Sequence, residues 1–214
     1  MTAAFDFKKE YRDLYLPKTT PALIDVGPMT FLAAAGAGDL NEEEGAYAAA
    51  LEALYALSFT IKMAKKGYWQ PEGYFDYVVP PLEGLWWGGG FDEARAADKG
   101  ALRWVSLIRQ PDFVTPEVLA WAAERAAAKK PGADVGRVRL VRFAEGPCAQ
   151  IMHRGPYDDE PATVAAMEEY ATGQGYGLDF SQGRFHHEIY LSDVRRCKPE
   201  KLKTVIRQPI KRAE

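Results

Sequence analysis

One short segment near the carboxyl terminus carries an acid between two side chains that can donate hydrogen bonds. Residues 185–193 read Phe-His-His-Glu-Ile-Tyr-Leu-Ser-Asp and are predicted to form a strand, in which alternate residues share a face. His186, Glu188 and Tyr190 therefore point to the same face of a sheet. A carboxylate there can act as a general base towards water, or it can neutralise a bound cation. Tyr190 or His186 could donate a proton to a ligand oxygen that gains negative charge.

A second segment, residues 67–90, supplies large aromatic side chains. It holds three of the five tryptophans of the chain, which are Trp69, Trp86 and Trp87. Planar side chains with few rotatable bonds form good walls for flat or cationic ligands. Tyr55, on a predicted helix, is expected to reach the same pocket, and Tyr157 is expected to contribute a hydroxyl. The alternative for these aromatic residues is ordinary packing in the core.

Other roles remain open for the charged residues and the histidines. The plain alternative for Glu188 is a solvated strand residue that pairs with Arg109, Arg207 or Arg195. His187 points to the opposite, mainly apolar face, which is expected to meet the helices. It is interpreted as a hydrogen-bonded core histidine.

The sequence shows no pattern typical of a metal or cofactor site. Because adjacent strand residues point to opposite faces, His186 and His187 cannot together bind one metal ion. The two cysteines, Cys148 and Cys197, lie in no motif with the spacing of zinc ligands. We therefore expect neither a metal nor a cofactor.

A repeated tetrad indicates how these segments are brought together. Ile-Arg-Gln-Pro occurs at 108–111 and again, 98 positions later, at 206–209. The residues before each copy read as strand, helix, strand, strand. The chain is therefore predicted to contain two related halves, about 28–111 and 138–210, joined by a helix over 115–130.

This repeat also places the aromatic segment beside the acid. Aligning the halves makes Trp86 correspond to Tyr190 and Gly84 to Glu188. Trp86 and Tyr190 would then lie on one side of the sheet and flank Glu188. The two arginines of the tetrads, Arg109 and Arg207, are interpreted as surface or sheet-edge charges.

The predicted elements indicate an α+β protein. About eight strands and three substantial helices favour an antiparallel sheet with helices on one face. The first long helix is predicted from about Glu42 to Met63, with Asn41 as its N-cap. Residues 1–27 are interpreted as a lead-in and 28–214 as one domain.

Composition excludes several classes of function. The chain has 214 residues, a formal net charge of −3 and 47% hydrophobic residues, which is ordinary for a globular protein. There is no basic patch of the kind that binds nucleic acid directly. No apolar stretch reaches the roughly 18 residues of a membrane span, and the start does not resemble a signal peptide. A cytoplasmic protein is expected.

Three phrases resemble one known family. They are Pro-Pro-Leu-Glu-Gly-Leu-Trp-Trp at 80–87, His-Arg-Gly-Pro-Tyr at 153–157 and His-His-Glu-Ile-Tyr-Leu-Ser-Asp at 186–193. They are similar to the GyrI-like small-molecule-binding family, in particular to its stand-alone branch, which includes cyclopropanoid cyclohydrolases. The resemblance implies two strand-helix-strand-strand units about a pseudo-twofold axis. It also implies a ligand cleft on the sheet face away from the helices, with Glu188 at its floor.

The resemblance leaves three functions open. The first is hydrolysis of cyclopropane-containing genotoxins, with Glu188 as general base and Tyr190 as its catalytic neighbour. The second is binding without turnover of flat, aromatic or cationic compounds. The third is an interaction with gyrase, which no feature of the sequence supports.

Overall fold

The computed structural model describes residues 3–38, 40, 42, 45–67, 69–87 and 102–213. One antiparallel sheet dominates it, and the fold is α+β as predicted. The strands are β1 Ala22–Val26, β2 Met29–Ala37, β3 Leu82–Trp87, β4 Arg103–Gln110, β5 Arg139–Phe143, β6 Gly146–Arg154, β7 Tyr176–Leu178, β8 His186–Tyr190 and β9 Lys203–Arg212. The helices are α1 Phe7–Glu10, α2 Arg12–Tyr15, α3 Ala46–Lys62, α4 Pro116–Lys129 and α5 Glu160–Gly173.

The order of the strands shows the two halves directly. The sheet runs β1-β6-β9-β8-β3-β4-β2-β5, with β7 paired to β9. Each half contributes the predicted strand, helix, strand, strand unit, and the halves meet where β3 pairs with β8. The lead-in contributes α1, α2 and β1, and β1 pairs with β6 in the other half.

The repeated tetrads lie in matching strands but not at matching positions. Two glycines with positive φ, Gly38 and Gly155, donate equivalent hydrogen bonds to Leu102 and Leu202, and each bond is 3.1 Å long. This equivalence relates residues 100 apart (202 − 102), whereas the tetrads are 98 apart. The second tetrad therefore lies two positions earlier in its strand than the first tetrad does. Because strand side chains alternate with a period of two, each tetrad residue still points to the same face.

The sequence anticipates the ends of α4 because its capping residues are local signals. Thr115 accepts a hydrogen bond from the Val118 backbone N–H at 3.4 Å, and Pro116 is the first residue of α4. Helix α3 begins at Ala46 with Gly45 at its N-cap, later than predicted. Asn41, the expected cap, lies outside the described residues.

The three long helices lie on one face of the sheet. The apolar sides of α3 and α4 cover Leu32 and Ile108, while α5 covers Ile206. On the other face, Phe7 and Tyr15 of the two short helices pack with strand residues that include Ile189, Val205 and Met152. Among the described residues, no helix is both long and apolar enough to span a membrane.

A row of buried charges crosses the face covered by the lead-in. His187 lies 3.0 Å from Glu83 and 2.9 Å from Glu145, and Glu145 also pairs with Arg207 at 2.6 Å. Burial opposes the charge on His187, but the two carboxylates raise its pKa to about 9. Burial likewise opposes the charge on Glu145, but His187 and Arg207 lower its pKa to about 2. His187 is a hydrogen-bonded core histidine, as predicted, but the expectation that its face of the sheet meets the long helices is wrong, because the lead-in covers that face.

The expected position of the tetrad arginines is wrong. Arg207 is 1% exposed and Arg109 is 8% exposed, so neither is a surface charge. Both point to the face covered by the lead-in, where the row of buried charges holds Arg207. The tetrad alone does not predict which residues pair with its arginines, because those partners come from other parts of the chain.

Candidate functional site

Glu188 lies at the centre of the sheet, where the two halves meet. It is paired across β3 and β8 with Gly84, and across β8 and β9 with Ile206. The residue is only 8% exposed. The alternative of a solvated strand residue paired with an arginine therefore does not describe it.

Hydrogen bonds hold the Glu188 carboxylate from two sides. The Tyr190 hydroxyl donates to Oε2 at 2.7 Å, and His186 Nε2 lies 3.2 Å from Oε1. Gln208 Nε2 lies 3.4 Å from His186 Nδ1, a contact that suits the tautomer in which the Nε2 proton of His186 points to Glu188. Hydrogen bonds to the carboxylate favour its ionised form, which is the form that a general base or a cation-binding group requires.

Trp86 forms one wall beside the acid. Its indole lies across Gly84, so close that a Cβ at Gly84 would be 2.8 Å from Nε1. Only glycine therefore lets the ring occupy this space opposite Glu188. The Trp86 ring also meets Tyr47 of α3 at a centroid distance of 6.1 Å, which connects the sheet floor to the helix.

Three tyrosine hydroxyls surround the same carboxylate. The Tyr157 ring packs edge-on against Tyr190, with centroids 6.1 Å apart. Burial, and then the charge of Glu188, raises the pKa of Tyr157 and of Tyr190 well above the ordinary value. Burial is also the main cause that raises the pKa of Tyr47 to about 12, with Glu188 adding to it. All three hydroxyls are thus protonated at neutral pH and can act as donors.

The Glu188 side chain lies on the helix-bearing face of the sheet. Gly84 and Ser106 are its successive partners across β3 and β4, and the same row of side chains packs against α3 and α4 through Trp86 and Ile108. The resemblance implied a cleft on the opposite face, and for Glu188 this is wrong. The opposite face is occupied by the lead-in, which sequence patterns treated as a separate segment.

The predicted aromatic residues divide between several places. Tyr55 is 37% exposed on α3 and stacks on Phe59, at the outer edge of the Glu188 side. Burial raises its pKa, and the nearby charges of Arg195 and Asp193 affect it in opposite directions. Tyr55 therefore lies where the loop after β8 meets α3.

Trp69 and Trp87 are not brought together with Trp86. Trp69 is 41% exposed and packs against Trp121 of α4, with ring centroids 4.6 Å apart. Trp87 follows Trp86 in β3 and so points to the opposite face, where it stacks on Phe185 at 4.4 Å. Alternation along a strand was sufficient to separate Trp86 from Trp87, but the sequence prediction grouped them by composition.

Two residues beside Glu188 were missed. Tyr47 lies on α3, and its hydroxyl is close enough to Glu188 for the negative charge to raise its pKa. Gln208 belongs to the second tetrad, and its place behind His186 depends on the β8–β9 register. Within the described ranges, no group of three or more histidine, cysteine or acidic residues could hold a metal ion.

Comparison with known proteins identifies close structural relatives. A hydrolase from Listeria innocua is 48% identical, with a TM-score of 0.88 over 97% of this chain and 100% of that chain. An uncharacterized conserved protein from Listeria innocua is 50% identical, with a TM-score of 0.90 over 97% and 100% of the two chains. The C-terminal domain of EcmrR shares the fold alone, at 11% identity and a TM-score of 0.53 over 91% and 98% of the two chains.

A search of curated protein sequences finds no match. The sequence profile of the GyrI-like small molecule binding domain, in contrast, matches residues 19–211, which include the main sheet except the last residue of β9. This match extends over most of the chain and agrees with the architecture of two joined halves. The chain belongs to the GyrI-like family of small-molecule-binding domains.

Proposed function

We propose that this protein binds flat, aromatic or cationic small molecules against Glu188 and that it hydrolyses cyclopropane-containing members of this class. The observation that carries the proposal is the buried Glu188 carboxylate, held by Tyr190 and His186 and walled by Trp86, Tyr47 and Tyr157. A carboxylate in aromatic surroundings attracts a flat cation by charge and by stacking. The hydrolase from Listeria innocua, at 48% identity, supports turnover in addition to binding.

The arrangement suits general-base catalysis. Glu188 would take a proton from water while the water oxygen bonds to a cyclopropane carbon. The ring C–C bond breaks, and its electron pair moves into the conjugated carbonyl, whose oxygen then accepts a proton. Ring strain supplies driving force for the reaction. A general base that accelerates it by about 10²–10⁴-fold would therefore be sufficient.

One set of groups would hold the general base, and another would stabilise the carbonyl oxygen of the ligand. Tyr190 donates to Glu188, so we assign it a positioning role rather than direct protonation of the ligand. The Trp86 indole N–H is buried and has no acceptor within the part of the chain that the structure describes. With the protonated Tyr157 hydroxyl, it is a donor suited to an oxygen on which charge develops.

Binding is tested by titrating a flat cationic dye, ethidium, and following tryptophan quenching. Wild type should bind, and Glu188→Gln should bind about tenfold or more weakly, because a hydrogen bond or ion pair to a charged group is lost. The matched control is Glu169→Gln, an exposed acid on α5, which should bind like wild type. No quenching of wild type, or equal affinity of the two variants, would contradict an acid-floored site.

Turnover is tested separately with a cyclopropane-containing alkylating agent. Mass spectrometry should detect the ring-opened product with one added water, formed about 10²–10⁴-fold faster by wild type than by Glu188→Gln. Equal product from both proteins would remove the general-base role. Binding of the agent by wild type without product would instead support the alternative, a protein that sequesters such compounds.

A further inference from the structure

A cavity lies on the sheet face opposite Glu188. Its volume is about 520 Å³, which is within the ordinary range for small-ligand sites. Rings from the lead-in and from the segment before β3 form its walls, and Arg109 of β4 lines it. The principal lining residues are Phe5, Phe7, Tyr11, Phe75, Phe113 and Arg109. This cavity shares no residue with the Glu188 site.

Arg109 is a buried cation in this cavity. The residue is 8% exposed, and its guanidinium carbon lies 4.2 Å from the Tyr11 ring centroid and 4.8 Å from that of Phe7. Its charge acts on the Tyr15 hydroxyl, and its Nη1 is buried without a hydrogen-bond partner in the described part of the chain. A buried guanidinium with an unmet donor carries a free-energy cost that an anion can remove.

The buried charges near Arg109 leave one positive charge in excess. The Tyr15 hydroxyl also donates to Glu83 at 3.2 Å, so Arg109 is connected to the row of buried charges that ends at Arg207. The row has three cations, Arg109, His187 and Arg207, and two carboxylates, Glu83 and Glu145, which gives 3 − 2 = +1. Glu145 pairs with Arg207 and His187, and Glu83 pairs with His187, whereas Arg109 has no carboxylate at ion-pair distance among the described residues.

We propose that this cavity binds a small aromatic monocarboxylate, with its carboxylate on Arg109 and its ring among the phenyl rings of the wall. A guanidinium can bind a carboxylate with two parallel hydrogen bonds, and aromatic walls favour a flat ring. Glu72 and Asp112 also line the cavity and are solvent-exposed. Their negative charges oppose polyanions such as nucleotides and so favour a ligand with a single charge.

The test is a calorimetric titration with naphthalene-2-carboxylate and, in parallel, with the uncharged naphthalene-2-carboxamide. The carboxylate should bind about tenfold or more tightly than the amide, because only the carboxylate forms a charged hydrogen bond. Arg109→Gln should abolish this preference, and Arg109→Lys should keep part of it. Phe75→Ala, at a half-exposed wall position, should weaken both ligands severalfold without depending on the buried arginine.

Controls separate this cavity from the Glu188 site. Glu188→Gln should leave carboxylate affinity unchanged, and saturating ethidium should not compete. Equal affinity for carboxylate and amide would overturn the proposal, as would no binding at about 5 mM carboxylate. Loss of binding in Glu188→Gln, or unchanged binding in Phe75→Ala, would also overturn it. If Arg109→Gln does not fold, the ligand pair and Phe75→Ala still decide the question.

Discussion

Gly84 is the position at which one methyl group should affect both stability and binding. A Cβ there would lie 2.8–2.9 Å from three atoms of the Trp86 indole. Ordinary carbon contacts are about 3.5–4.0 Å, so Gly84→Ala requires the ring to shift by roughly 1 Å. Trp86 is 8% exposed and packs against Tyr47 and the core beneath α3, so little free space receives it.

The expected cost follows from overpacking, reduced by a backbone effect. Forcing a group into a packed core costs about 1–3 kcal/mol. Alanine also restricts the unfolded chain, which favours folding by about 0.4–1 kcal/mol. Gly177→Ala isolates the second effect, because a Cβ at this strand position would meet nothing within 4 Å. Gly84→Ala should therefore be about 1–3 kcal/mol less stable than Gly177→Ala.

Urea unfolding followed by far-ultraviolet circular dichroism measures this difference without relying on tryptophan emission. In thermal unfolding, a stability difference of 1 kcal/mol corresponds to about 2–4 °C for a chain of this length. The melting temperatures of the two variants should therefore differ by roughly 2–12 °C. Ethidium should also bind Gly84→Ala more weakly than Gly177→Ala. Equal stability and equal dye affinity of the two variants would refute the role assigned to Gly84.

Two further predictions concern the scaffold. The folded-state pKa of His187, about 9, lies above the ordinary value of 6.5, so its charge stabilises the fold most fully below pH 6.5. The stability advantage of wild type over His187→Gln should shrink as pH rises through about 9, and urea unfolding that shows a constant advantage from pH 6 to 10 would exclude this. Thr115→Ala should cost about 0.5–1 kcal/mol by removing the cap of α4, while Thr115→Ser should cost much less; equal unfolding midpoints for the two variants would show that the cap contributes nothing.

Much of the fold was predictable because its signals are local. The cap and proline of α4 predicted 115–130, and the structure has Pro116–Lys129. The strand containing Trp86 begins at Leu82, directly after two prolines that cannot donate ladder hydrogen bonds. β1 was missed because it is short and its partner β6 is more than 100 residues away in the chain.

Part of the candidate site was also predictable. Alternation along β8 correctly placed His186, Glu188 and Tyr190 on one face, and the aligned halves placed Trp86 beside them. Composition alone could not separate Trp69 and Trp87 from Trp86, since it carries no information on direction. Tyr47 reaches the site from α3, and no pattern in the sequence shows how far a helix lies from a strand.

The sequence by itself determined which residues share a strand face, where α4 begins and ends, and that two similar halves repeat. These follow from periodicity, capping and self-similarity, which act over a few residues or can be aligned. Only the tertiary structure decided that α3 and α4 cover the face of Glu188 and that the lead-in covers the other. It also decided that the tetrads are out of register and that Arg109 is buried. These depend on contacts between distant segments, whose side chains and charges must be satisfied together.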